Sequence, residues 1–145
     1  MEQRFKMRDV QPAAYKPLNE LAGYVAGSSL TPIQQELIKI RASQINGCAY
    51  CVNKHSKDAR KLGETEQRIF LLPVWRESPQ FNEEERLMLE MTEEITLLHQ
   101  HGLSEPVYQH AIKLFGEERT AHVIMAIINI NAWNRIGVSL RMQPE

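Results

Sequence analysis

Residues 31–63 read TPIQQELIKIRASQINGCAYCVNKHSKDARKLG, and two consecutive helices are written in them. Thr31 can cap the first, Pro32 suits its first helical position, and Gln34 completes a capping box. Ile33, Leu37, Ile40 and Gln44 recur at helical spacing and mark a buried stripe reaching about Ile45. Asn46-Gly47 breaks the run. The next helix starts at the cysteines, continues to Leu62 and stops at Gly63. Arg60 and Lys61 fall in its last turn, where cations complement the helix dipole.

The same periodicity extends outward. Toward the N-terminus, Pro12 to Ala26 reads as a helix with Tyr15, Leu18, Leu21, Ala22 and Val25 on one side, closed by Gly27-Ser28-Ser29. Pro17 blurs its start. Toward the C-terminus, a short helix from Thr65 to Leu72 is closed by Pro73. Asn82 caps a long one, with Glu85 in the reciprocal position and Leu87, Met91, Ile95 and Leu98 facing the core. Ser104 caps another that ends near Phe115-Gly116, and the last runs from about Glu117 to Leu140. Strand-like alternation bounded by turns is absent, as are repeats, low-complexity segments and long linkers. The expected fold is an all-α bundle of about seven helices in one domain spanning 1–145, with the cysteines at the N-terminus of the third helix. The stretch Val123 to Trp133 is apolar nearly all round. Such a helix is either central in its fold or packed against a second subunit in a closed homo-oligomer.

Composition narrows the function. The 145 residues are 43% hydrophobic and 24% charged, with a net charge of −1. That is a globular composition without the basic field that holds a phosphate backbone, so no nucleic-acid partner is expected. The segment after Met1 carries no apolar run, which predicts no secretory signal. The run Val123 to Ile130 is too short to span a bilayer. A cytoplasmic location follows as the expectation, and in a reducing cytosol a close cysteine pair is catalytic or metal-binding rather than a structural staple.

The chemistry concentrates in Cys48-Ala49-Tyr50-Cys51 and His55. Residues three and four apart share a helix face, so Cys48, Cys51 and His55 align, continued by Ala59 and Leu62. A helix start stabilises a thiolate through free backbone N–H groups and the dipole. His55, one turn after Cys51, can take or return the thiol proton. The alternative for His55 is a hydrogen-bonded core histidine. Zinc is not expected, because a structural site needs four ligands and no second cysteine pair exists. A thioredoxin-like site is not expected either, since that motif follows a strand. No glycine-rich nucleotide loop is present, so no bound cofactor is expected. Glu36 falls between Ile33 and Ile40, beside the apolar stripe. Burial there would raise its carboxyl pKa and suit it to proton transfer; the alternative is a rim carboxylate paired with Lys39 or Arg41.

Taken together, Glu36, Cys48-x-x-Cys51-x-x-x-His55 and Ala59-Arg60-x-x-Gly63 resemble the AhpD-like and carboxymuconolactone decarboxylase superfamily. The stretch Ile38 to Cys51 and the segment Asn131-Ala132-Trp133-Asn134-Arg135-Ile136 strengthen the resemblance. It implies an AhpD-like bundle and an alkylhydroperoxidase-like peroxidase, because decarboxylase members lack the cysteine pair. By the same resemblance Cys51 attacks the peroxide, Cys48 resolves, and Glu36 and His55 relay protons. The implied partners are a hydroperoxide, a lipoylated or thioredoxin-like dithiol reductant, and further copies of the chain in a trimer or hexamer. One position departs: the best-known AhpD proteins carry a histidine directly before the second cysteine, where this chain has Tyr50. A phenol with pKa near ~10 is no base at neutral pH, which shortens the implied relay. The rival readings are a thiol–disulfide exchange protein with little peroxidase activity and a non-enzymatic helical oligomer.

Overall fold

Capping chemistry sets the two clearest helix starts. Thr31 Oγ1 accepts from the backbone N–H of Gln34 at 3.2 Å, while Gln34 Oε1 accepts from the N–H of Thr31 at 3.0 Å. Asn82 and Glu85 exchange the same pair of bonds at 2.9 and 3.0 Å. In the computed structural model, which describes residues 2–144, these caps open two of seven α-helices. The helices are α1 (Met7–Val10), α2 (Pro12–Ala26), α3 (Pro32–Asn46), α4 (Ala49–Lys61), α5 (Glu66–Leu71), α6 (Glu83–Thr96) and α7 (Glu105–Ser139). Short 3-10 segments cover Leu72–Glu77 and Leu98–Gln100. Among the described residues there is no strand, and no helix is long and apolar enough to cross a membrane. Met1 and Glu145, included in the expected 1–145 domain, lie outside the described residues.

The all-α bundle is as expected, with some redistribution. The four-residue α1 precedes the expected first helix, so the cysteine-bearing helix is the fourth in chain order. The two expected C-terminal helices meet at Gly116, whose non-helical φ of 75° and ψ of 172° kink α7 where the sequence places the end of one helix and the start of the next. The α-helix expected to stop before Pro73 ends at Leu71, and the chain continues as a 3-10 segment from Leu72. Ser104 stands at the start of α7 without capping it; its hydroxyl and backbone N–H both bond Glu94. Leu98 is 71% exposed rather than core-facing, because α6 ends at Thr96 and the following 3-10 turn rotates it outward.

Two apolar clusters hold the bundle, and α3 separates them. Ile38 and Ala42 pack with Leu87, Met88 and Met91 of α6 and with Val123, Ala126, Ile127 and Ile130 of α7. Leu37 and Ile40, on the other side of α3, pack with Ala59, Ile69, Leu72, Trp75 and Leu89. Each fully buried aliphatic side chain contributes roughly 1.5–3 kcal/mol. Ile127 and Ile130 belong to this intrachain core, whereas Ile128 of the same helix is 45% exposed.

A polar seam then joins the end of α3 to α7. Asn46 Nδ2 donates to Asn131 Oδ1 at 3.0 Å and to Asn134 Oδ1 at 2.9 Å. Asn134 Nδ2 donates to Ser43 Oγ at 2.9 Å. The Ser43 carbonyl in turn accepts from the Cys48 N–H at 3.0 Å. With Gly47 in the left-handed region (φ 67°), this seam sets where α4 begins.

Candidate active site

The start of α4 is built around sulfur. Cys48 is its N-cap residue, and its Sγ accepts from the Cys51 N–H at 3.4 Å. The two cysteines form a disulfide, with Cα atoms 5.3 Å apart. Both residues are buried, at 2% and 4% exposure. They nevertheless open in different directions. Cys51 lines a cavity of about 300 Å³ together with Glu36 and His55. Cys48 lines an open hollow bounded by Ser43, Gly47, Ala49 and Val52. The shared face expected from helical spacing therefore holds for Cys51 and His55, and Ala59 is fully buried. It does not hold at Leu62, which is 46% exposed because it caps the end of α4 at the surface.

Glu36 reaches this cavity from α3. One carboxylate oxygen lies 2.8 Å from His55 Nδ1 and the other accepts from Lys39 Nζ at 2.6 Å. It is thus both buried and ion-paired. Arg41, the other expected partner, pairs with Glu93 instead. The expected rise in the Glu36 pKa is reversed. Burial is the largest single influence and pushes upward, but the hydrogen bond and charge of His55, joined by Lys39, together hold the carboxyl below its ordinary value of 4.5. An ionised Glu36 fixes the imidazole with Nδ1 toward α3 and leaves Nε2 as the nitrogen that can exchange a proton.

Three further residues escaped the reading of the sequence. Asp58, one turn beyond His55, lines the same cavity and accepts from Lys54 at 2.7 Å. Its position three after His55 was the available signal. Glu36, His55 and Asp58 bring potential ligand atoms within 4.8 Å of one another, and are the residues here that could hold a cation. Lys39 and Lys54 already neutralise their carboxylates. Trp133 of α7 lines the cavity and meets Tyr15 of α2 edge-on at 5.0 Å. Gly137, one turn further along α7, lies directly over the disulfide. Nothing in sequence distance tied it to the cysteines.

Comparison with known proteins gives a consistent picture. The model of the carboxymuconolactone decarboxylase family matches residues 12–94. The uncharacterized protein YdfG of Bacillus subtilis (strain 168) is 39% identical over 140 residues, covering 97% of this chain and 95% of that protein. A crystal structure of a protein of unknown function from Agrobacterium tumefaciens, provisionally assigned as the antioxidant defence protein AhpD, superposes with a TM-score of 0.95. It is 38% identical, with 99% of each chain covered. The debrominase Bmp8 matches with a TM-score of 0.84 at 19% identity over 94% of this chain and 74% of its own, a likeness of fold alone.

Proposed function

Because the chain belongs to the carboxymuconolactone decarboxylase family and has its AhpD-like fold, we propose that it is a thiol-dependent peroxidase that reduces organic hydroperoxides. The observation that carries this reading is the meeting of a Cys48–Cys51 disulfide at a helix start with the Glu36–His55 pair in the cavity onto which Cys51 opens.

In the reduced protein the Cys51 thiolate, stabilised by the start of α4, attacks the terminal peroxide oxygen. The O–O bond breaks, Cys51 becomes a sulfenic acid, and the departing alkoxide takes a proton from His55 Nε2. Glu36 stabilises the imidazolium before that transfer. Cys48 then attacks the Cys51 sulfur, expelling water and forming the disulfide. A dithiol protein, lipoylated or thioredoxin-like, reduces it by exchange and leaves with the oxidising equivalents. The balance is one hydroperoxide and one external dithiol in, and one alcohol, one water and one external disulfide out. Assembly into a closed homo-oligomer belongs to the same reading, supported by the exposed Ile128 and Val138 on α7.

The test is hydroperoxide consumption by the full chain with dihydrolipoamide or a thioredoxin as donor. Consumption well above that of the free donor, abolished by Cys51→Ser, is expected. Turnover of a disulfide substrate with no peroxide consumption would leave the exchange protein instead.

A further inference from the structure

The cavity at Cys51 does not end at the redox pair. Tyr15, Tyr50, Ile136 and Met142 line it and also line a second cavity of about 170 Å³ beneath the N-terminal segment. That segment is tied down. The Arg4 N–H donates to the Leu140 carbonyl at 2.9 Å, and its guanidinium donates to the Ser139 carbonyl at 2.9 Å. The second cavity therefore adjoins the first across a shared wall that is aromatic and aliphatic.

Charge is distributed unequally along the two. Around Cys51 the charged groups pair with one another: Glu36 with Lys39 and His55, and Asp58 with Lys54. Among the described residues, the charged ones that line the second cavity are Lys6 and Arg8, both cationic. Arg8 meets Asp9 at 3.5 Å, with both side chains more than half exposed, and such a pair is weak enough for another carboxylate to compete with it. Among the described residues no carboxylate lines this end. The adjoining spaces thus offer a sulfur and a proton donor at one end, an apolar wall, and at the other Lys6 and an Arg8 whose partner is the solvent-exposed Asp9.

We propose that the two cavities form one cleft for an amphipathic hydroperoxide bearing a carboxylate. Its –OOH group lies at Cys51, its hydrocarbon body lies along Tyr15, Ile136 and Met142, and its carboxylate faces Lys6 and Arg8. Hydrogen peroxide would leave the apolar wall uncovered, and a neutral alkyl hydroperoxide would leave the cationic end without a ligand group. The substrate class rests on the peroxidase reading, while the cleft itself can be probed without chemistry.

Two measurements on the full chain decide it. The first compares the rate of Cys48–Cys51 disulfide formation with linoleic acid hydroperoxide, its methyl ester and hydrogen peroxide. The acid should outpace the ester by roughly fivefold to tenfold at low ionic strength, as two partly exposed ion pairs allow. The gap should close in high salt and in the Lys6→Gln/Arg8→Gln double variant, with the hydrogen peroxide rate unchanged. The second is calorimetric binding of decanoate against decanamide, with a similar preference in the wild type and none in the double variant. Equal handling of acid and ester, and of decanoate and decanamide, overturns the cleft. If no hydroperoxide oxidises the cysteines while decanoate still binds selectively, the cleft stands as a carboxylate site and the peroxidase reading falls.

Discussion

Gly137 packs its bare Cα against Cys48 so closely that a Cβ there would lie 2.7 Å from Cys48 Sγ and 3.4 Å from Cys51 Sγ. Helix propensity alone argues for alanine at this interior helical position, by about 0.5–1 kcal/mol. The contact opposes it only while the sulfurs are joined, because a free Cys48 thiol can turn away. Gly137→Ala should therefore lower the melting temperature of the oxidised protein and leave the reduced protein unchanged or slightly more stable. Redox titration should show the dithiol–disulfide equilibrium displaced toward the dithiol by about tenfold, the equivalent of ~30 mV for a two-electron couple. Equal effects in both redox states would reduce Gly137 to a packing residue.

The Glu36–His55 pair makes a kinetic prediction. His55→Ala should slow oxidation of Cys51 by roughly 10²-fold, and Glu36→Gln should slow it as well, both with the far-ultraviolet circular dichroism of the wild type. Rapid mixing with hydroperoxide followed by alkylation of free thiols reads this directly. A wild-type rate in either variant assigns that residue to structure.

The same pair makes a pH prediction. His55 and Lys39 hold the Glu36 carboxyl below its ordinary value of 4.5. The ionised form is thus favoured in the folded state, and its contribution to stability is complete above that ordinary value. It is lost as pH falls from there through the lowered folded value. In urea titrations, wild type should exceed Glu36→Gln in stability at pH 7, and the difference should shrink below about pH 4.5. A difference that grows on acidification would contradict the sign.

Asn134 should carry stability out of proportion to its size. It is 1% exposed, accepts from Asn46 and donates to Ser43. Asn134→Ala removes both bonds, at a cost of about 1–3 kcal/mol, or roughly 2–8 °C in a thermal melt. Because Ser43 holds the Cys48 N–H, cysteine reactivity toward iodoacetamide should change with it.

Assembly can be separated from folding on one helix. Ile127 and Ile130 are buried within the chain, so a charge there should unfold the protomer whatever its oligomeric state. Ile128→Glu places the charge on the exposed side of α7. Light scattering should report a multiple of the chain mass for wild type and a lower one for Ile128→Glu, with helicity intact. A wild-type monomer at micromolar concentration would remove the oligomer from the reading.

How far the sequence carried can be judged from particular residues. Helix starts at Thr31 and Asn82 were legible because capping is local: donor, acceptor and spacing lie within four residues. Cys48, Cys51 and His55 were legible for the same reason. Glu36 was visible as a carboxylate beside an apolar stripe, but the sign of its pKa shift was not. That sign depends on His55 Nδ1 arriving from another helix, 19 positions away. Gly137 and the Lys6–Arg8 end of the cleft were invisible, since both exist only through contacts between the chain's two ends and its middle. Ser104 had a cap's residue type and the wrong partner, because Glu94 competes successfully for its hydroxyl.

Cys51 and Cys48 border different hollows at one helix start, and this has a consequence for how turnover responds to concentration. An oxidant arriving at Cys51 and a thiol arriving at Cys48 need not occupy the same space. Attack at Cys48 forms a mixed disulfide there and releases Cys51 as the leaving thiolate beside His55; the donor's second thiol then frees Cys48, and the donor leaves as its disulfide. Such a double-displacement enzyme should show parallel reciprocal plots that stay parallel as the reductant is raised, without the upward curvature that appears when the second reactant blocks the door of the first.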